Sequence, residues 1–192
     1  MPAPRPEVLD FLATRRSRPV KFLAEPAPER AALRPLLERA LRVPDHGKLE
    51  PWRLVVLEKP ALARLAQLAE TRGAERGEDP DRLAKLRAQF ADPPLCVAVI
   101  ASPKPSEKIP EVEQTLSAGA VCLTLVNAAL AAGWGASWLT GWTAYDRPFL
   151  EQGLGLAPGE WVAGFVYIGT ERAAPPERPR PDPDAVITWV SE

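Results

Sequence analysis

The sequence predicts an α+β fold in which helices cover both faces of one sheet. Its apolar strand-length segments are separated by helical patterns at irregular intervals. Two helical patterns precede the first strand, and two more separate it from the second. A doubly wound parallel sheet would show regular alternation of strand and helix, so three layers of α+β type are favoured. The length and the lack of repeats predict one domain, residues 1–192.

The N-terminal half is mostly helical in pattern. Apolar spacing predicts a helix over 6–14, with Val8, Leu9, Leu12 and Phe11 on its inner face. A second helix is predicted over 28–42. Pro35 lies inside that pattern, so it either kinks the helix or marks a first turn that begins near residue 33 or 34.

A strand over 52–58 and a helix over 59–71 follow the second helix. Residues 73–78 are polar and are predicted to be a mobile connection. Asp79-Pro80 then has the composition of a helix start, with Asp79 as N-cap and Pro80 in the first turn. That helix is predicted to end near Asp92.

The C-terminal half contains the most apolar segments. Residues 95–101 are a continuous apolar run, typical of a central strand covered on both faces. The longest helix, 111–132, is apolar nearly all round in its second half and must be covered on every side, which contact with a partner chain would achieve. A strand over 133–142, a short helix over 146–151 and a strand over 161–169 follow. Residues 185–190 are predicted to be a strand that adds to a sheet edge of this or a second subunit.

Composition narrows the class of function. The formal net charge of −1, with 46% hydrophobic and 26% charged residues, is typical of an ordinary globular protein without a field for nucleic acid or an anionic membrane. The sequence lacks a signal peptide pattern, which predicts the cytoplasm. Cys96 and Cys122 lie in separate apolar runs and are predicted to be buried, inert thiols. One histidine and two scattered cysteines make a transition-metal site improbable.

Two stretches contain the polar chemistry. In Arg15-Arg16-Ser17-Arg18, cations either interact with a helix C-terminus or hold a phosphate through guanidinium forks and a hydroxyl. The loop 42–52 holds the only histidine, His46, which either donates to a backbone carbonyl or contacts a ligand. Glycines alternate with tryptophans at 133–142, so Trp134 and Trp142 either line a flat ligand or pack in the core.

Several familiar catalytic motifs are missing from the sequence. We find no Gly-x-Ser-x-Gly elbow, no phosphate loop ending in Gly-Lys-Ser/Thr, and no Gly-x-Gly-x-x-Gly after a strand. His46 has no evident serine or cysteine partner. The sequence therefore gives no support to nucleophilic catalysis.

Four motifs, in order, resemble the flavin-dependent nitroreductase family, and most closely its branch of minimal size. They are Arg15-Arg16-Ser17; Pro44-Asp45-His46 with Pro51-Trp52; Gly133 to Trp138; and Gly164 to Thr170. The resemblance runs from about residue 7 to residue 170. It implies a mostly antiparallel sheet flanked by helices, an FMN-binding homodimer with its sites between subunits, and a C-terminal arm that extends to the partner.

The resemblance also implies roles for single residues. Those that match FMN-binding positions are Arg15, Arg16 and Ser17 near the phosphate and pyrimidine, Arg42 and His46 reaching over from the partner, and Trp138, Leu139 and Thr140 beside the ring. The segment Ala128, Ala129, Leu130, Ala131, Ala132 and Gly133 matches one that faces NAD(P). Leu139 is a departure, because similar proteins often have arginine there. The tail arginines Arg172, Arg178 and Arg180 are further candidates for a phosphate.

The implied activity is that of an FMN-dependent NAD(P)H oxidoreductase. Hydride would pass from NADPH or NADH through flavin N5 to a nitroaromatic, a quinone or a similar acceptor. Because the flavin performs the redox chemistry, the protein needs no catalytic acid, base or nucleophile. A flavin-binding or storage protein with little turnover is the alternative, and a structural dimer that has lost its cofactor is a third hypothesis.

Overall fold

A five-stranded antiparallel sheet forms the middle layer of the computed structural model, which describes residues 3–192. The strands are β1 Leu23–Ala24, β2 Trp52–Leu57, β3 Leu95–Ala101, β4 Gly135–Leu139 and β5 Trp161–Glu171. The helices are α1 Pro6–Thr14, α2 Arg30–Ala40, α3 Lys59–Glu75, α4 Pro80–Ala91, α5 Glu111–Ala131, α6 Arg147–Leu154 and α7 Pro183–Val186. The predicted three-layer α+β arrangement is confirmed.

The strand β5 joins the sheet together. It pairs with β3, with β4 and, at its C-terminal end, with β1, while β2 pairs with β3. Phe165 lies opposite Ala98 of β3 and Leu139 of β4, so β3 and β4 flank β5 on its two sides. Every one of these pairings is antiparallel, as the resemblance implied.

The central strand β3 divides its side chains between two cores. Cys96, Ala98 and Ile100 pack with the layer that holds α3, α4 and α6. The alternate residues pack with α2 and α5; they are Leu95, Val97, Val99 and Ala101. Because successive side chains of a strand point to opposite faces, a continuous apolar run of this length is what two covered faces require. The prediction of a fully buried strand is confirmed.

The two cysteines lie in different cores, one on each side of the sheet. Both are free and buried, as predicted. Burial raises the pKa of the Cys96 thiol well above its usual value and that of Cys122 to about 12. Neither thiol is therefore present as the reactive thiolate at neutral pH.

The helix α5 leaves one apolar face uncovered. Its inner side packs on β3, β4 and β5, but Leu116 and Leu123 are 67% and 47% exposed. Within residues 3–192 it is the one helix long and apolar enough to cross a bilayer by length and composition. Its packing against the sheet is that of a core helix with a second, unpartnered face.

The helix α1 does not bury the face that its pattern predicts. Val8, Leu9 and Leu12 are exposed and Phe11 is only half-buried, so the predicted inner face is wrong for the single chain. Apolar periodicity reports that a face is apolar but does not tell which surface covers it. The exposed faces of α1 and α5 together form an apolar surface, here called the α1/α5 surface.

Two element boundaries differ from the predictions. The helix α2 begins at Arg30, so Pro35 lies inside it rather than in its first turn. The helix α3 continues to Glu75, because the buried Gly73 lets it pack closely against Leu83 and Leu86 of the α4 region. The predicted mobile connection over 73–78 is therefore partly helical.

The predicted strand over 185–190 is wrong for the chain by itself. Asp182 caps the short helix α7, with Pro183 at its start, and this local signal takes residues 185 and 186 into a helix. Beyond it, Ile187, Trp189 and Val190 are exposed and pair with no strand of the described chain.

One ion pair joins β2 to the loop before β5. Arg53 donates from Nε and Nη2 to the two carboxylate oxygens of Glu160, both at 2.7 Å, and Glu160 also accepts from the Ala157 N–H. The bonds from Arg53 lower the pKa of Glu160 from its ordinary 4.5 to about 2. The stabilisation of the folded state by these bonds is therefore complete above about pH 4.5, and it is lost as pH falls towards 2.

Glu160→Gln is expected to lower the free energy of unfolding by about 1–3 kcal/mol in neutral buffer, because charge-assisted bonds are lost. Urea unfolding at neutral and acid pH measures this, and the difference between wild type and variant should shrink in acid. Glu38→Gln removes an exposed pair with Arg34 and should change the free energy by less than about 0.5 kcal/mol. If the unfolding free energies of wild type and Glu160→Gln differed by the same amount at every pH, the ionised Glu160–Arg53 pair would not be the source of the stabilisation.

Candidate functional site

Three arginines after α1 line one cavity of about 270 Å³. The helix α1 ends at Thr14 with Arg15 as its C-cap, and Pro19 disfavours helical backbone at Arg18. The N–H of Arg18 donates to the carbonyl of Ala136 at 2.8 Å, which holds the turn on the sheet. Arg15, Arg16 and Arg18 share this cavity with Leu130 and Gly133 from the end of α5.

This cavity has an excess of positive charge. The Nε atoms of Arg15, Arg16 and Arg18 are buried and donate no hydrogen bond to any residue of the described chain. One carboxylate, that of Glu171, lies 3.3 Å from Arg18 Nε. Burial, followed by repulsion from Arg180, Arg16 and Arg18, lowers the pKa of Arg15. Buried donors without partners are costly, so the cavity is suited to an anion with several acceptor oxygens.

The proline-rich tail approaches the same cavity. Arg180 is close enough to act on the charge of Arg15, and Arg180 itself pairs with Glu177 at 2.8 Å. Arg16 likewise helps to lower the pKa of Glu177, after the bonds from the Arg178 N–H and from Arg180. The backbone N–H of Arg172 donates to the carbonyl of Phe22 at 2.9 Å. Arg180 is therefore a tail arginine placed near the cluster.

The loop that holds His46 is tightly fixed. The Asp45 carboxylate accepts from the N–H groups of Leu49 at 3.1 Å and Glu50 at 2.9 Å. Gly47 has φ +71°, and a Cβ there would overlap the side chain of Ile109. Lys48 and Glu50 also have positive φ, +55° and +48°, which costs free energy in residues other than glycine, and such strain is frequently found at functional sites.

Hydrogen bonds fasten this loop to the first half of α5. Ser117 Oγ donates to the carbonyl of Pro44 at 2.7 Å and accepts from Trp52 Nε1 at 3.0 Å. His46 Nδ1 lies 2.7 Å from Glu113 Oε2, so its partner is a carboxylate rather than a backbone carbonyl. A cavity of about 380 Å³ opens between His46, Glu113 and Leu116.

Arg42 is separate from this network. Its side chain is exposed and makes no hydrogen bond to a described residue. Its place just after α2 leaves the guanidinium free to reach a ligand or a second chain.

Trp138 lies between β5 and the middle of α5. Its Nε1 donates to the carbonyl of Ala163 at 3.1 Å, and its ring covers Gly164, where any Cβ would overlap it. With Gly119 and Trp161 it lines an apolar cavity of about 440 Å³. Only a glycine at 164 allows the ring to lie this close to the sheet.

The neighbours of Trp138 continue the strand. Leu139 is exposed, and the Thr140 carbonyl accepts from Gln89 Nε2 at 3.2 Å. Trp142 is half-buried against one core, whereas Trp134 is half-buried against the other and also borders the arginine cavity.

The segment predicted to face NAD(P) is divided between two cavities. Leu130 and Gly133 line the arginine cavity, while Ala128 and Ala131 line a cavity of about 480 Å³ beside Phe11. Ala132 is exposed. Ala129 is fully buried in the core, so its side chain is not available to a ligand in this structure.

The arginine cavity and the His46 cavity lie near opposite ends of α5. Glu113 and Leu130 are separated by about 25 Å along the helix, at 1.5 Å per residue. A single chain therefore does not bring all the predicted FMN-binding residues together. Within residues 3–192 there is also no group of three His, Cys, Asp or Glu side chains placed to hold a metal ion.

Comparisons with known proteins identify the family of this chain. The family model described as Nitroreductase family matches residues 12–170. The chain belongs to the nitroreductase family. The Escherichia coli (strain K12) protein named "Putative NAD(P)H nitroreductase YdjA" is 31% identical over 184 residues, which are 95% of this chain and 99% of that protein.

Solved structures show that the fold is the one found in nitroreductases. A nitroreductase-like family protein from Bacillus cereus has a TM-score of 0.81 at 23% identity, covering 99% of each chain. A nitroreductase with bound FMN from Bacteroides fragilis NCTC 9343 has a TM-score of 0.72 at 21% identity, covering 96% of this chain and 99% of that one.

Sequence reasoning missed several residues of these cavities. Glu113 is 67 positions from His46, and no local pattern marks it as the partner of that histidine. Phe11 was predicted to be core, and Glu171 lay beyond the predicted strand over 161–169. An acidic residue in the first turn of a helix is normally explained by the helix dipole, so Glu113 had no signal of its own.

Proposed function

We propose that this nitroreductase-family chain is an FMN-dependent NAD(P)H oxidoreductase. The observation that supports this most strongly is the cavity lined by three buried arginine Nε atoms: those of Arg15 and Arg16 have no partner in the described chain, and that of Arg18 lies 3.3 Å from the Glu171 carboxylate without a hydrogen bond. A phosphate monoester carries charge near −2 and several strong acceptor oxygens, which such a cluster can satisfy with paired bonds. The residues present therefore fit the phosphate end of FMN.

Each protein group then has a binding role. Arg15 and Arg16 hold the phosphate and the pyrimidine side of the flavin, and Ser17, already bonded to Arg15 Nη2 at 3.3 Å, adds a hydroxyl. Arg180 supplies a further cation from the tail. When bound, the flavin supplies hydride transfer between NAD(P)H and an acceptor such as a nitroaromatic or a quinone. The protein's task is to bind, orient and shield the reacting groups.

A homodimer completes the site in this proposal. The α1/α5 surface is apolar and exposed, and surfaces of this kind mark interfaces. If a two-fold axis pairs the α5 helices antiparallel, His46 and Arg42 of one copy come to the arginine cavity and Trp138 strand of the other. Two equivalent sites then lie between the subunits, and the separation within one chain is explained.

The C-terminal arm has a place in the same assembly. Apolar and polar side chains alternate in part over residues 187–190, and Trp189 is almost fully exposed. We assign this segment to the edge of a partner's sheet, where it gains backbone hydrogen bonds and covers its aromatic side chain. The apolar, exposed tail supports this assignment.

The nicotinamide cofactor is assigned to the side of the flavin bounded by residues 128–133. Leu130 and Gly133 already border the arginine cavity, and Ala128 and Ala131 border the neighbouring apolar cavity. The electron acceptor is a small molecule, and we place the enzyme in the cytoplasm.

A purified sample tests the activity directly. We expect a yellow protein with flavin absorbance that consumes NADPH or NADH when a quinone or a nitroaromatic is supplied. A protein that binds FMN tightly but consumes neither nucleotide with any acceptor would instead be a storage protein. A protein that gains no flavin absorbance after incubation with FMN would contradict the proposal.

A further inference from the structure

The only histidine of the chain is held by a carboxylate through one ring nitrogen. His46 Nδ1 lies 2.7 Å from Glu113 Oε2, across 67 positions of sequence. No described residue forms a hydrogen bond with the other ring nitrogen, Nε2. The ring lies on the wall of the cavity shared with Leu116 and Ala120, so Nε2 is available to whatever enters it.

The carboxylate determines where the imidazole proton resides. An ionised carboxylate only accepts, so Nδ1 must carry the hydrogen in the neutral ring and Nε2 keeps its lone pair. Isolated imidazole side chains favour the opposite, Nε2–H tautomer. The contact with Glu113 therefore reverses the usual hydrogen-bonding character of the free nitrogen.

Other polar groups of this cavity are already satisfied. Ser117 Oγ donates to the Pro44 carbonyl and accepts from Trp52 Nε1. The backbone around His46 is fixed by Asp45 and by left-handed Gly47 and Lys48. Glu113 lies in the first turn of α5, where the helix dipole favours a carboxylate. The pair is thus held from both sides.

We propose that Glu113 is the positioning residue of His46. It fixes the Nδ1–H tautomer, so that Nε2 accepts a hydrogen bond from an N–H or O–H of the flavin nucleotide. This rests on the proposed function, because the imide N–H and the ribityl hydroxyls of FMN are donors of this kind. A residue that orients a ligand-contacting histidine through its other nitrogen acts as outer-shell carboxylates do at metal sites.

Long-range ¹H–¹⁵N NMR of the apoprotein reads the tautomer without ambiguity, since the chain has one histidine. When the spectrum shows the neutral ring, wild type should have the Nδ1–H form. Glu113→Leu removes the acceptor and should return the ring to Nε2–H. Glu113→Gln keeps an acceptor oxygen and should retain Nδ1–H. A wild-type ring in the Nε2–H form would overturn the proposal.

FMN affinity provides the second measurement. Glu113→Leu should raise the dissociation constant of FMN about three- to tenfold, the range of one hydrogen bond, and Glu113→Gln should restore it to within about twofold. Glu111→Leu removes the same charge from the same exposed helical turn and serves as the matched control. Equal losses in both leucine variants, or none in Glu113→Leu, would refute positioning by Glu113.

The two measurements separate failure of this inference from failure of the proposed function. If wild type binds no FMN, the proposed function is wrong, yet the tautomer still reveals whether Glu113 sets the ring. If wild type binds FMN and the ring is in the Nε2–H form, only the role of Glu113 is wrong.

Discussion

Leu123→Glu is expected to produce a monomer with at least about a hundredfold weaker FMN binding. Leu123 lies on the exposed stripe of α5, and a two-fold interface places each substitution against the partner's copy of the same surface. Desolvated like charges there cost several kcal/mol. Because the proposed site needs residues of both chains, loss of the dimer should remove the cofactor as well.

Sedimentation velocity and the flavin content of the purified variant measure this outcome together. Tyr145→Glu is the control, because Tyr145 is 72% exposed and follows Trp142–Ala144, which pack with the α3, α4 and α6 layer on the other face of the sheet. It adds the same charge and should leave both the dimer and the flavin unchanged. A dimeric, fully loaded Leu123→Glu protein would show that the α1/α5 surface is not the interface.

Arg16→Ala is expected to weaken FMN binding by about 1.5–3 kcal/mol, or roughly 10- to 150-fold. The guanidinium of Arg16 is half-buried, and its Nε has no partner in the described chain, so a bound phosphate would gain charge-assisted bonds. Riboflavin lacks the phosphate, so its affinity should change little. The variant should therefore lose most of the wild-type preference for FMN over riboflavin.

Fluorescence titrations with both flavins give the comparison in one series. Arg34→Ala, which removes an exposed arginine paired with Glu38, should leave both affinities within about twofold. The apoprotein of Arg16→Ala should unfold at a temperature no lower than wild type, because Arg16 and Arg15 repel each other when no anion is present. Equal losses for FMN and riboflavin would place the phosphate elsewhere.

Local signals predicted most of the fold. Asp79-Pro80 starts α4, with the Asp79 carboxylate accepting from the Arg82 N–H, and the apolar run at 95–101 is β3. These succeed because capping and strand burial depend on adjacent residues. The two-residue strand β1 was missed because its pairing with β5 depends on residues far away in the sequence.

The predictions that failed concern apolar surfaces that the described chain leaves exposed. The apolar face of α1 was placed inside, and the tail was predicted to be a strand, because composition alone reports apolar character but not its partner. For the same reason the sequence located the arginine cluster and His46, but not Glu113, which meets His46 from 67 positions away. Residues that meet across the fold carry no shared local pattern.

The position of β5 in the chain affects how the molecule is made. This strand begins at residue 161 of 192, yet it supplies the pairing for β1, β3 and β4, including Leu23 with Glu171. A nascent chain on the ribosome therefore exposes the β5-facing edge of apolar β3 until residues 161–171 have emerged. Such long-range pairing slows folding and favours aggregation, so we expect the sheet to close only after β5 has left the ribosome.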